Sequence, residues 1–118
     1  MQVDFYDFED GTNPIDPYLD SLDNKMLAKV EFSIRMLEQF GCSLRMPYSE
    51  HLEDGIFELR AIQGNNIERL LFFFYIGDKA ILTNGFTKKT GKTPRSEILL
   101  AKTRREDYFR RYGDGKKK

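Results

Sequence analysis

The feature that most limits how this chain can fold is the run Leu70–Ile76, LLFFFYI, seven apolar residues without a break. It is about three times too short to cross a bilayer as a helix. Bounded by Gln63-Gly64-Asn65-Asn66 on one side and Gly77-Asp78 on the other, it reads as the core of a strand, Ile67–Ile76, buried on both faces. Its neighbours Ile56–Ile62 and Lys79–Phe86 also read as strands. The turns between them are short, which implies an antiparallel meander with the apolar strand in the middle.

The remaining segments group around this meander. Val3 to Phe8 alternates apolar and polar residues and reads as an opening strand. Asn13 followed by Pro14 is a helix start, a capping side chain and then a proline in the first turn. Ile15, Tyr18, Leu19 and Leu22 give a short amphipathic helix. A longer one runs from Asp23 to Phe40, with Met26, Leu27, Val30, Ile34, Leu37 and Phe40 at three- and four-residue spacing, and Gly41 ends it. Cys42 to Asp54 reads as a loop. Thr93 and Pro94 open a last helix as cap and first residue. The expected fold is α+β, a small antiparallel sheet in the order β-α-α-β-β-β-α packed against two N-terminal helices. At 118 residues and 40% hydrophobic content, residues 1–118 are expected to form a single domain large enough to pack without disulfide staples.

Charge is balanced overall, 19 Lys and Arg against 19 Asp and Glu, but not locally. Residues 1–25 carry seven acids and one base, whereas residues 86–118 carry twelve bases and four acids. The densest stretch is GFTKKTGKTPRSE, Gly85 to Glu97. A basic half of this kind can hold a polyanion, or it can be a solvated helix and tail. The acidic N-terminus lacks the pattern of a secretory leader, and the lone Cys42 allows no internal disulfide framework. Both favour a cytoplasmic protein, with no membrane partner.

Several chemistries find little support. One His and one Cys cannot build the usual zinc sites. His51 with Glu50, Glu53 and Asp54 has no helical ligand spacing. No third group orients a Cys42–His51 pair, and Gly85 and Gly91 do not match a phosphate-cradling loop. No cofactor is expected. What remains is cationic. Arg60 and Arg69 lie on adjacent strands, and Glu58 shares a face with Arg60. An arginine beside Ile67, Leu70 and Leu71 is costly unless its head is satisfied. Arg69 therefore snorkels at the strand end, pairs with Glu58 or Glu68, or converges with Arg60 and the lysine loop on a phosphate, which suits the guanidinium fork.

The stretch from DGIFELR through RLLFFFYI to GFTKKTGKTPRSEI resembles the RelE/ParE toxin superfamily of type II toxin–antitoxin systems, and is most similar to its HigB-like, phage-associated branch. The helix LDSLDNKMLAKVEFSIRMLEQFG is similar as well. The resemblance implies a small growth-inhibiting toxin that cuts mRNA without a metal, usually on the ribosome. Its expected partners are that mRNA and a cognate antitoxin, of helix-turn-helix type, from an adjacent gene. It implies an active cleft holding Arg60, Arg69, Lys88, Lys89 and Lys92. Glu58 is a candidate base, with His51 behind it. The basic half adds Arg95, Arg104 and Arg105 beside Lys92 as RNA-binding side chains. Tyr75, Tyr108 and Tyr112 compete for the family's terminal tyrosine. A ParE-like gyrase inhibitor and a non-catalytic nucleic-acid-binding phage or operon protein are the alternatives.

Overall fold

A computed structural model describes residues 1–88 and 91–114. The elements are β1 (Gln2–Phe5), α1 (Ile15–Asp20), α2 (Asn24–Phe40), a single 3-10 turn (Gly41–Ser43), β2 (Ser49–Glu53), β3 (Ile56–Gln63), β4 (Asn66–Tyr75), β5 (Lys79–Thr87) and α3 (Arg95–Tyr112). The five strands form one sheet in the order β1-β5-β4-β3-β2. The apolar strand β4 is central, as its composition demands. Leu70 and Phe72 point to one face and Leu71, Phe73 and Tyr75 to the other, each face packing into its own core.

Three features depart from the sequence expectation. The stretch assigned to a loop contains β2, which pairs antiparallel with β3, Glu50 opposite Glu58. Its SEHLE sequence is too polar to announce a strand, because an edge strand needs only one neighbour. The sheet is mixed, since β1 runs parallel to β5 with Val3 opposite Ala80. Finally, the helices do not all lie on one side. Ile15, Met26, Val30 and Leu37 of α1 and α2 cover one face, whereas Ile98, Ala101 and Tyr108 of α3 cover the other. A central strand that is apolar on both faces requires helices on both.

The helix ends follow local chemistry. Asn13 Oδ1 accepts from the Ile15 and Asp16 amides at 2.9 and 2.7 Å, and Asp23 caps α2 through the Met26 amide at 2.8 Å. Gly41, at φ 53°, closes α2 with its amide on the Leu37 carbonyl. Thr93 does not cap α3. Pro94 takes the cap position without a side-chain bond, and the Thr93 hydroxyl is used elsewhere. Among the described residues no helix is long and apolar enough to cross a membrane.

The short helix α1 is held to the sheet by Tyr18. Its hydroxyl donates to Glu68 Oε1 at 2.7 Å, and burial, followed by that bond, pushes its pKa well above the usual phenol value. The ring lies against β5 at Gly85, where an added Cβ would sit 2.6 Å from ring carbons. Gly85→Ala should therefore lift α1 off the sheet and cost about 1–3 kcal/mol, the usual penalty for overpacking. Chemical denaturation checks this, and an unchanged midpoint would show that Tyr18 repacks freely.

Candidate active cleft

Antiparallel pairing sets Arg60 directly opposite Arg69 and Glu50 opposite Glu58. All four side chains lie on the α3 face of the sheet, because residues two apart on a strand share a face. Like charges facing each other repel, and here each is relieved by the opposite charges beside it. Arg60 Nε donates to Glu58 Oε2 at 2.6 Å, and its Nη2 donates to Glu50. Arg69 Nη1 pairs with Glu58 Oε1 at 3.2 Å. Of the partners left open for Arg69, the structure gives it Glu58. Glu68 lies on the other face and accepts from Tyr18 and Thr87.

The Glu58 side chain is fully buried. Besides the two arginines it accepts the Thr93 hydroxyl. Arg69 extends the same network, with Nη2 on the Gly91 carbonyl at 3.2 Å and Nη1 on Thr93 Oγ1 at 3.4 Å. The segment preceding α3 is thus tied to the middle of the sheet. The Lys88 amide, bonded to the Ile67 carbonyl at 3.0 Å, ties down the other side of the basic stretch. Between them opens a cleft of about 450 Å³ lined by Glu50, Arg60, Arg69, Lys92 and Thr93, with His51, Leu52, Gly91 and Ile98 completing the wall. Arg69 is almost wholly buried, and among the described residues its Nε–H has no hydrogen-bond partner, a spare donor in a residue lining this space.

The cleft therefore gathers Arg60, Arg69 and Lys92 of the expected residues, with Glu58 buried behind the two arginines. Lys88 stands at the end of β5, and Lys89 lies outside the described residues. The cations assigned to RNA from α3 are engaged within the protein. Arg95 pairs with Glu53, and Arg105 bonds the Asp54 carboxylate and carbonyl. Arg104 donates to the Thr83 carbonyl at 2.8 Å and lies over the rings of Tyr6 and Phe8. His51 Nε2 accepts from the Gly55 amide at 3.2 Å, and its ring packs on Phe57, so the nitrogen a base would offer is taken.

The three candidate tyrosines are absent from the lining. Tyr75 donates to the Tyr112 carbonyl, Tyr112 bonds Asp7, and burial, with Asp4 nearby, pushes Tyr108 up to about 12. Two residues gain importance. Glu50 has a side chain 44% exposed, and among the described residues it is the carboxylate lining the cleft that solvent can reach. Thr93 carries the loop anchor. Neither was legible as such: Glu50 needed β2 to be seen as a strand, and Thr93 matched a helix cap.

A family model described as phage-derived protein Gp49-like (DUF891) matches residues 17–106. The chain belongs to the phage-derived Gp49-like family. The matched span of this Gp49-like chain runs from α1 through most of α3 and contains every cleft residue. A search of curated proteins found no match.

Two outcomes follow from these contacts. Glu58→Gln leaves Arg69 buried without a full counter-charge and should cost about 3–5 kcal/mol, and removing both charges with Glu58→Gln and Arg69→Met should recover much of that loss. Urea denaturation of the double-mutant cycle checks it; additive losses would show that the pair is not coupled. The second concerns Glu53, which the hydrogen bonds from Arg95 and Lys102 hold down to about 2, against an ordinary 4.5. A depressed carboxylate stabilises the fold above its unfolded pKa, and the benefit is lost as pH falls through the folded one. Stability contributed by Glu53 should therefore be complete above about 4.5 and fade toward 2. Glu53→Gln should flatten the melting-temperature profile in that window.

Proposed function

We propose that this Gp49-like protein is a RelE/HigB-like toxin that cuts mRNA in the cytoplasm, on the ribosome, and is silenced by a helix-turn-helix antitoxin. The observation that carries the reading is the cleft itself. A solvent-reachable carboxylate, Glu50, and the cations Arg60 and Lys92 face one space of about 450 Å³, walled by a pinned basic segment.

The reaction is transesterification within RNA. The 2′-OH attacks the adjacent phosphorus, the P–O5′ bond breaks, and a 2′,3′-cyclic phosphate and a 5′-OH result. Arg60 and Lys92, with Lys88 and Lys89 on the same segment, offset the charge that builds on the phosphorane. These side chains serve as electrostatic stabilisers. Glu58 accepts three donors already, which leaves Glu50 as the better placed acceptor for the 2′-OH proton. Arg69 acts mainly as a positioning residue that holds Gly91 and Thr93, and its spare Nε–H is the donor it could still offer. The second reading, a module that grips nucleic acid without cutting it, draws on one observation: Glu50 and Glu58 offset both arginines.

Induction from a tight promoter, followed by mapping of RNA 5′ ends, tests the proposal. Growth should stop within minutes and new 5′-OH ends should appear in translated mRNA. Arg60→Ala and Lys92→Gln should each lower cleavage by about 100- to 1,000-fold, and Glu50→Gln by about 100-fold or more. Arrest with intact mRNA and damaged DNA would point to gyrase. Soluble protein that neither arrests growth nor cuts RNA would leave the binding module.

A further inference from the structure

A second groove, of about 490 Å³, lies between α2 and β3. Arg60 lines both it and the cleft, its carbonyl turned to Ser33 of α2 and its side chain to Glu58 and Glu50. Its α2 wall carries Lys29, Phe32 and Arg35, which share one stripe because residues three and four apart are neighbours on a helix. Tyr48 and Ile62 face them. Phe32 and Ile62 are 45% and 47% exposed. The Phe32 and Tyr48 rings stand 6.1 Å apart, and the Arg35 guanidinium lies 6.0 Å over Phe32.

The charge in this groove differs from that of α3. There, Arg95, Lys102, Arg105, Arg110 and Arg111 all have carboxylate partners. The groove is lined by no carboxylate, and of its cations Arg60 is paired with Glu50 and Glu58 whereas Lys29 and Arg35 remain. Among the described residues no carboxylate forms an ion pair with Lys29 or Arg35. An open aromatic face flanked by unneutralised cations matches both halves of a nucleotide, a stacking base and an anionic phosphate. An acidic amphipathic peptide would satisfy the cations but would not call for an arginine-capped ring beside a second ring.

We infer that this groove is a nucleotide subsite for single-stranded RNA, in which a base flanking the cleavage position stacks on Phe32 with the tilted Tyr48 ring at its edge, while Lys29 and Arg35 hold its phosphates. The inference rests on the RNA reading of the cleft and extends the path of the strand past Arg60. Single-strandedness follows from the chemistry, because only an unpaired base offers a free face to stack.

The test uses fluorescein-labelled oligoadenylate and its duplex with oligouridylate. Wild-type protein should bind the single strand more tightly than the duplex. Phe32→Ala should weaken single-strand binding by about 5- to 150-fold, the range for losing one stacked base, with circular dichroism confirming the fold. Lys29→Gln with Arg35→Gln should reduce the steepness of the salt dependence. The chain has no tryptophan, so Phe32→Trp supplies a unique fluorophore, which the single strand should quench and the duplex should not. Equal binding by wild type and Phe32→Ala, with RNA cleavage intact, would overturn the subsite and leave the cleft reading standing. Absence of RNA binding by the wild type would overturn both. Unquenched Trp fluorescence with RNA, but a response to an acidic amphipathic peptide, would assign the groove to a protein partner and overturn the inference.

Discussion

The buried carboxylate of Glu58 joins the parts of this molecule that must stay together. It accepts from Arg60 on its own strand, from Arg69 on the central strand and from Thr93 just before the last helix. A fully buried carboxylate is costly unless each lone pair is used, and here the donors come from three separate segments. The position of the basic segment, the orientation of both arginines and the shape of the cleft therefore depend on one another. Losing either arginine strands a charge in the interior, so the network holds Gly91 and Thr93 against the sheet.

The same accounting changes the meaning of the chain's uneven charge. The basic C-terminal half looks in sequence like a polyanion-binding surface. In the fold, α3 lies on the sheet and most of its bases meet acids supplied by β2 and the acidic N-terminus: Glu53, Asp54, Asp7 and Glu9. Exposed pairs of this kind add little stability each, but they neutralise. Among the described residues, the cations outside these ion pairs include Lys29 and Arg35 along α2 and Lys92 at the cleft.

How much could be read beforehand varies with the physics of each element. The central strand, the long helix and its closing glycine were legible because apolar periodicity and local backbone geometry are properties of contiguous residues. Arg60 and Glu58 could be assigned to one face by strand alternation alone. The strand Ser49–Glu53 was not legible, because its partner is β3 and its own sequence is polar; with it went the placement of Glu50. Nor could alternation reveal that β1 runs parallel to β5, a choice made by tertiary packing at a sheet edge. Thr93 shows the limit of capping rules: it precedes a proline at a helix start, yet its hydroxyl serves a carboxylate 35 residues away.

Glu68 and Arg69 are consecutive, both buried, and directed to opposite faces of the central strand. Glu68 belongs to the α1 side, with Tyr18 and Thr87; Arg69 belongs to the α3 side, with Glu58. Sliding β4 by one residue would exchange them, burying a guanidinium against Tyr18 and setting a carboxylate against Glu58. The flanking run LLFFFY would hardly oppose such a slip, being apolar on both faces. This acid–base dipeptide is thus what gives a nearly featureless greasy strand a single alignment, and it makes misaligned pairings during folding electrostatically self-rejecting.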